Sequence, residues 1–192
     1  SVLEISMFVA AIYVGGLVLQ YPIGWLSDAM DRRQLIFGVT LLCALVAFGA
    51  ALVQLPFVLM IVVALLIGGL ANPLYSLLLA HTNDFLQADD MAGASGGLLF
   101  INGVGAIAGP LLIGWLMGQV GPRGFFLFIG ILNGLLGVYA LWRMTRRAAP
   151  DQTDQGSYTP LTPAASAVTL EAAFEAATPE HAETENANSQ GA

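Results

Sequence analysis

The sequence predicts an all-α fold, a polytopic membrane helix bundle with five spanning helices. Hydrophobic residues make up 57% of the 192 residues and charged residues only 10%, whereas roughly a quarter of a soluble domain is charged. Five apolar segments lie at residues 5–26, 35–53, 57–80, 94–117 and 125–142. Each is near the roughly 20 residues that cross a hydrocarbon core. None alternates polar and apolar residues with a period of two, so we expect helices rather than strands.

Charge divides the chain into two regions. Residues 1–147 hold six acids and six arginines, whereas residues 148–192 hold seven acids and no Lys or Arg. The second region is rich in Ala, Thr, Ser, Pro and Glu, and it cannot bury enough apolar surface to offset its ordering entropy. We therefore expect a transmembrane helical bundle over residues 1–147 and an acidic, disordered tail over residues 148–192.

The arginines predict the orientation. Five of the six would lie on one side of the membrane, namely Arg32, Arg33, Arg143, Arg146 and Arg147. Arg123 alone would lie on the other side. Because basic residues accumulate on the cytoplasmic side, we expect a multi-pass protein of the cell membrane with the 24–33 loop and the C-terminal tail in the cytoplasm.

The first segment and the loop after it hold the first candidate residues. Tyr13 and Gln20 are polar residues within the apolar run, and their spacing of seven places them on one helix face. The loop at residues 24–33 then contains four of the twelve charged residues found before position 148. Such a cluster between two apolar segments is either an anchor for the topology or a working part.

The second segment contains the chain's single cysteine, Cys43, which we interpret as a small buried hydrophobe. The third contains Asn72 and Tyr75, three residues apart and so on one face. The fourth contains Asn102. Polar groups at this depth usually face the bundle interior or a wet cavity. Ser76 in the third span and Asn133 in the fifth are polar as well. These residues either line a substrate cavity or join helices by hydrogen bonds.

The fourth segment is also rich in glycine. Gly93, Gly97, Gly105 and Gly109 recur at multiples of four, which allows a neighbouring backbone to approach closely. Pro110 lacks an N–H and favours a kink. We expect helix packing or kinking at Gly105, Gly109 and Pro110, with static packing and conformational change both open.

The sequence offers nothing for catalysis. It has no nucleophile elbow, phosphate-binding glycine loop, zinc motif or haem signature. The link at residues 81–90 mixes acids with one histidine, His81, in a spacing too loose for a metal site. We expect no enzymatic activity, no cofactor, no metal and no nucleic-acid partner.

The charged loop resembles the signature loop of the major facilitator superfamily, G-x-L-[AS]-D-[RK]-x-[GD]-R-[RK], which joins the second and third helices of a six-helix half. The matching residues are Gly24, Leu26, Ser27, Asp28, Asp31, Arg32 and Arg33. The loop departs from the pattern at Ala29, where the family usually has a base. A second pattern, Gly96, Gly105 and Gly109-Pro110, is similar to the glycine-proline pattern of the fifth helix of a half.

The resemblance implies that residues 1–147 are the C-terminal half, helices eight to twelve, of a twelve-helix carrier from an uncharacterised bacterial branch. An N-terminal half without its first helix fits less well, because an acidic tail ends the chain. The carrier would move a small solute by alternating access, and its partners would be that unidentified solute, membrane lipid and the missing N-terminal half. The alternatives are a non-transporting scaffold or sensor with a partner-binding tail, or an ion channel, although the chain has no ring of acids.

The resemblance also implies roles for residues. The candidate cavity residues are those of the first, third and fourth spans: Tyr13, Gln20, Asn72, Tyr75 and Asn102. The candidate gating residues are those of the loop: Gly24, Asp28, Asp31, Arg32 and Arg33. Asp28 would pair with a helix end in the other half and so be unpaired or differently paired in this chain. The two arginines would pair with acids or with lipid phosphates.

Overall fold

The computed structural model describes residues 1–83 and 91–146. Its five helices are α1 (Val2–Ala29), α2 (Arg32–Leu52), α3 (Phe57–Asn83), α4 (Met91–Val120) and α5 (Arg123–Arg146). All five are long and apolar enough to span a membrane. The predicted all-α membrane bundle is confirmed. The tail at residues 148–192 lies outside the described residues, and its disorder stays a prediction.

The helices are longer than the apolar segments that predict them. α1 begins three residues before its predicted segment and ends three residues after it. α4 has the same extensions. Polar and charged residues at the ends continue the helix, since hydrogen bonding along the backbone does not depend on apolar side chains. The helices also run through Pro22, Pro73 and Pro110.

Short connections join α1 to α2, α2 to α3 and α4 to α5. Asp31 caps the start of α2, where its carboxylate accepts a hydrogen bond from the backbone N–H of Arg33 at 2.9 Å. Gly121 lies between α4 and α5 with φ of 76°, a left-handed conformation that glycine adopts without steric cost. These tight turns reverse the chain between α1 and α2 and between α4 and α5, and the contacts of Arg32 with Ser27 and the Ala80 carbonyl bring the C-terminal ends of α1 and α3 together.

The helices pack mainly in pairs. α1 lies along α3 and α2 along α5, while α2 also contacts α3, and α4 contacts α5. α2 is central: half of its most apolar 18-residue stretch is buried, against none of the corresponding stretch of α4. The buried cluster is built around α2 and α3, with members such as Ile36, Cys43, Ala47, Ile67 and Leu77. α4 makes no comparable contact with α1, α2 or α3 among the described residues.

Candidate functional site

Arg32 is the centre of the charged loop. It is the first residue of α2 and only 1% exposed. Its guanidinium donates from Nε to Ser27 Oγ at 3.0 Å, from Nη1 to the Ala80 carbonyl at 3.4 Å and from Nη2 to Asp28 Oδ1 at 3.5 Å. A buried charge is costly unless it is paired and hydrogen-bonded. Arg32 therefore joins the last turns of α1 and α3 through one planar group.

The position of Arg32 also suits the helix dipoles. Ser27 and Asp28 belong to the last turn of α1, and Ala80 to the end of α3. The C-terminal end of a helix carries partial negative charge, which favours a cation. The start of α2 carries the opposite charge, and the Asp31 carboxylate at that start compensates the two arginines that follow.

Arg33 forms a separate pair with Asp31. Its Nη2 lies 3.2 Å from Asp31 Oδ2 and its Nε 3.4 Å from Oδ1. Both side chains are largely buried, at 10% and 17% exposure. The two arginines thus pair with acids of the same loop. Pairing of either arginine with lipid phosphates, the other expectation from the resemblance, stays a prediction.

Asp28 is half exposed, at 50%, and accepts from Arg32. Of the two arrangements expected for Asp28 in this chain, unpaired or differently paired, the contact with Arg32 one helical turn away corresponds to the second. Gly24 is buried one turn earlier in α1. The four charged residues of the loop form two pairs, Asp28 with Arg32 and Asp31 with Arg33, and the first pair also includes Ser27, which is fully buried.

A close contact between α1 and α3 lies at the middle of the bundle. A Cβ added to Gly15 would overlap the carbonyl of Leu65, and one added to Gly68 would overlap the carbonyl of Ile12. A Cβ at Gly69 would lie 3.0 Å from the Gly15 carbonyl oxygen. Since glycine has no side chain, the two backbones touch here. The spacing of α1 and α3 is fixed by these glycines.

Four predicted cavity residues lie on this helix pair. Tyr13 is 71% exposed, and Gln20 is half-buried. Asn72 is half-buried and its side chain packs on Gly16. The Tyr75 hydroxyl is buried and has no hydrogen-bond partner among the described residues. Asn72 is thus in direct contact with α1, while Tyr13 projects away from the protein.

Asn102 and the predicted packing residues of α4 lie apart from that pair. Asn102 is half-buried on a helix whose main contact is α5. A Cβ at Gly105 or Gly109 would meet no atom within 4 Å, and Pro110 is exposed. No described neighbour approaches these residues, so packing at Gly105, Gly109 and Pro110 stays a prediction.

One mid-helix polar residue of α2 and one of α5 are buried. Thr40 is fully buried, and its hydroxyl donates to the Ile36 carbonyl at 2.7 Å. Asn133 is 9% exposed and donates from Nδ2 to the Ile129 carbonyl at 3.0 Å, while its Oδ1 is buried without a partner among the described residues. The outer faces of these two helices are left to residues such as Leu41, Leu45, Leu132, Leu135 and Val138, all exposed.

An apolar cavity lies at the opposite end of the bundle from the charged loop. It has a volume of about 480 Å³ and is lined by residues of α1, α3, α4 and α5. Three of these residues, Phe8, Phe125 and Phe126, form a cluster of edge-to-face rings with centroids 5.3 to 6.3 Å apart. None of the predicted cavity residues lines it. This apolar cavity and the polar mid-span residues are therefore different features.

Sequence reasoning missed the glycines that matter most for packing. Spacings of four residues drew attention to α4, whereas the closest contacts use two adjacent pairs, Gly15-Gly16 and Gly68-Gly69. An adjacent glycine pair in the middle of each of two spans is the signal that could have identified this contact. The contact of Arg32 with the Ala80 carbonyl could not be predicted from the sequence, because every residue has a backbone carbonyl.

Five apolar helices, neutral polar groups in their middle turns and a loop of paired acids and arginines define a multi-pass membrane protein. The chain belongs to the Major Facilitator Superfamily, whose family model matches residues 1–177. The family prediction made from the charged loop is confirmed. No curated protein and no solved structure matches the chain. Members of this family are secondary transporters and not enzymes.

Proposed function

We propose that this chain is the C-terminal half, helices eight to twelve, of a twelve-helix bacterial carrier. It moves a small solute across the cytoplasmic membrane by alternating access, with the charged loop and the C-terminus in the cytoplasm. The solute site lies near the bilayer midplane between the two halves, as in other carriers built from repeats. Tyr13, Gln20, Asn72, Tyr75 and Asn102 supply polar groups on this side of the site.

The distribution of polar residues in the middle turns is the observation that supports this proposal. On α2 and α5, Thr40 and Asn133 are buried, and the half-exposed Tyr139 lies in the second half of α5. On α1, α3 and α4 they include Tyr13, Asn72 and Asn102, which stay exposed or half-buried. Exposed polar groups in lipid would leave hydrogen bonds unmade. A wet cavity beside α1, α3 and α4 accounts for them, with α2 and α5 facing lipid.

The missing half is the partner that would enclose this cavity. α1 and α4 have the smallest buried fractions of the five helices. Their exposed residues include large apolar groups and the polar groups just named. Lipid would be favourable for the apolar groups but not for the polar ones. A second half packed on α1 and α4 would cover their apolar residues and leave the polar ones to water and solute.

The charged loop would control opening at the cytoplasmic end. Arg32 joins the ends of α1 and α3, so those ends move as one body when the halves rock. Asp28 is half exposed beside Arg32, where a helix of the other half can approach it. A helix N-terminus there would be stabilised by the carboxylate. The loop would thus favour the state that is closed at the cytoplasmic side.

Uptake by vesicles that contain the complete natural protein tests the function. The probes are radiolabelled sugars, polyols, amino acids, nucleosides and lipophilic amines. We expect uptake of one class above that of empty vesicles, and a marked loss with Asn72→Leu or Tyr13→Phe. Leu45→Ala, on the outer face of α2, is the matched control and should leave uptake unchanged. No uptake of any class would favour the scaffold or sensor alternative.

A further inference from the structure

We propose that Gly16 is a positioning residue that holds the Asn72 carboxamide in place, and that this carboxamide binds an uncharged polar group of the solute. The inference rests on the proposed function, because it places the Asn72 side chain beside the solute cavity. It adds Gly16, which has no side chain, to the residues that shape the site. It also names the chemical class of the solute.

The contact between the two residues is direct. A Cβ built on Gly16 would lie 3.1 Å from both Cβ and Cγ of Asn72, and it would overlap Nδ2. The Asn72 side chain therefore rests on the Gly16 backbone. Asn72 follows Gly68 by four residues and Gly69 by three, which places all three on one face of α3. Any residue larger than glycine at position 16 would displace the carboxamide.

The surrounding backbone contacts make this position rigid. Gly15 lies against the Leu65 carbonyl, and Gly68 against the Ile12 carbonyl. Interiors packed at this density cannot shift one contact without disturbing the next. α1 and α3 therefore cannot move apart to make room at Gly16. An added methyl group there would therefore push the Asn72 carboxamide into another rotamer.

The carboxamide has unused hydrogen-bonding capacity. An asparagine side chain offers two N–H donors and a carbonyl acceptor, and no described residue hydrogen-bonds to that of Asn72. Asn72 is half-buried in the middle of α3. A buried donor or acceptor that lacks a partner destabilises the protein. Water or solute at the open side of the carboxamide would satisfy these groups.

The solute class follows from the charges nearby. α1 has no charged residue between Glu4 and Asp28, and neither α3 nor α4 contains Asp, Glu, Lys or Arg. A charged solute at the midplane would find no opposite charge on this half, and an unpaired charge in an apolar medium is costly. Hydroxyl and amide groups can pair with a carboxamide without that cost. The geometry and charges point to a neutral solute such as a sugar or polyol.

Thiol labelling tests the positioning without a known solute. Asn72→Cys is made in the complete protein with Cys43→Ala, and its reaction rate with N-ethylmaleimide is compared with and without Gly16→Ala. We expect Gly16→Ala to raise the rate several-fold, because the side chain at position 72 is pushed off α1 towards water. Gly38→Ala is the control, since a Cβ there meets no atom within 4 Å. An unchanged rate with Gly16→Ala would overturn the positioning role.

Transport tests the binding role. The probes are radiolabelled neutral sugars and polyols, with glutamate and lysine for comparison. We expect Gly16→Ala and Asn72→Ala each to raise the KM for a neutral solute several-fold, and the double variant to show no further rise. The proposal would be contradicted if Gly16→Ala raised the KM by the same factor in the wild-type protein and in the Asn72→Ala variant. If Gly16→Ala alone folds poorly, the double variant should partly restore folding, because it removes the overlap with Nδ2 and Cγ and leaves only the 3.1 Å approach of Cβ.

Each part of the proposal can fail separately. Gly16→Ala could change the labelling rate at position 72 while Asn72→Ala leaves the uptake of neutral solutes normal. This result would show that Asn72 contacts Gly16 but does not bind the solute. Transport of glutamate or lysine alone would refute the neutral solute but leave alternating access standing. Failure of transport for every probe class would count against the proposed function itself.

Discussion

Replacing Arg32 by lysine removes the planar group that joins α1 and α3. Arg32 is 1% exposed and hydrogen-bonds to Ser27, Ala80 and Asp28 at 3.0, 3.4 and 3.5 Å. A guanidinium reaches several partners in its plane, whereas the ammonium of lysine is a compact charge at the end of a flexible chain. We expect the ammonium to keep one of the three partners and to leave two buried groups unsatisfied.

The cost can be worked from these contacts. Hydrogen bonds to charged groups contribute about 1.5–3 kcal/mol each, so losing two destabilises the fold by about 3 kcal/mol or more. For a chain of this size, 1 kcal/mol corresponds to roughly 2–4 °C in melting temperature, so the expected decrease is about 6–12 °C. Arg32→Ala should cost about 3–5 kcal/mol, as expected when one partner of a buried pair is removed.

Thermal unfolding in detergent measures this difference. The chain has three tryptophans, whose fluorescence reports unfolding of the purified protein. Arg123→Lys is the matched control, because Arg123 is exposed at the start of α5. We expect the control to melt with the wild type and Arg32→Lys to melt well below both. Equal melting of Arg32→Lys and Arg123→Lys would refute the view that Arg32 joins two helices.

Three further changes have defined outcomes. Gly68→Ala would force a methyl group onto the Ile12 carbonyl and should lower the stability of the fold by about 1–3 kcal/mol. The melting temperature is compared with that of Gly38→Ala, and equal values would contradict the close contact. Asp28→Asn should weaken the closed state and change the uptake rate, whereas unchanged uptake and unchanged cytoplasmic accessibility would leave the loop a topological role only. Asn133→Leu removes a buried oxygen that has no described partner, so stability should stay equal or rise by about 1 kcal/mol, and a large loss would show that Asn133 joins helices.

Hydropathy alone was enough to predict the architecture. Each apolar segment is a helix, since lipid requires every backbone group to be bonded within the chain. The helix ends were less predictable, because α1 continues through Ser27 and Asp28 after its apolar residues end. Nothing in the hydropathy of these residues distinguishes a polar last turn from a loop.

The contacts between helices could not be predicted in the same way. The sequence indicated that Arg32 belongs to a topology anchor or to a working loop. It did not indicate that Arg32 is buried, because one of its partners is a carbonyl 48 residues away. Which glycines touch depends on how the helices cross, so Gly16 and its contact with Asn72 appear only in three dimensions. The composition of the loop identified the family, because that signal lies in the spacing of Gly24, Asp28 and Arg32 along the chain.

Water access to position 13 in the complete protein is the most direct test of the proposed carrier. Tyr13→Cys and Leu45→Cys, both with Cys43→Ala, replace residues that are 71% and 59% exposed, the first beside the proposed cavity and the second on the outer face of α2. N-ethylmaleimide reacts with the thiolate, which forms in water and not in lipid. We expect fast labelling at position 13 and slow labelling at position 45. Equally slow labelling at both positions would contradict a cavity beside α1.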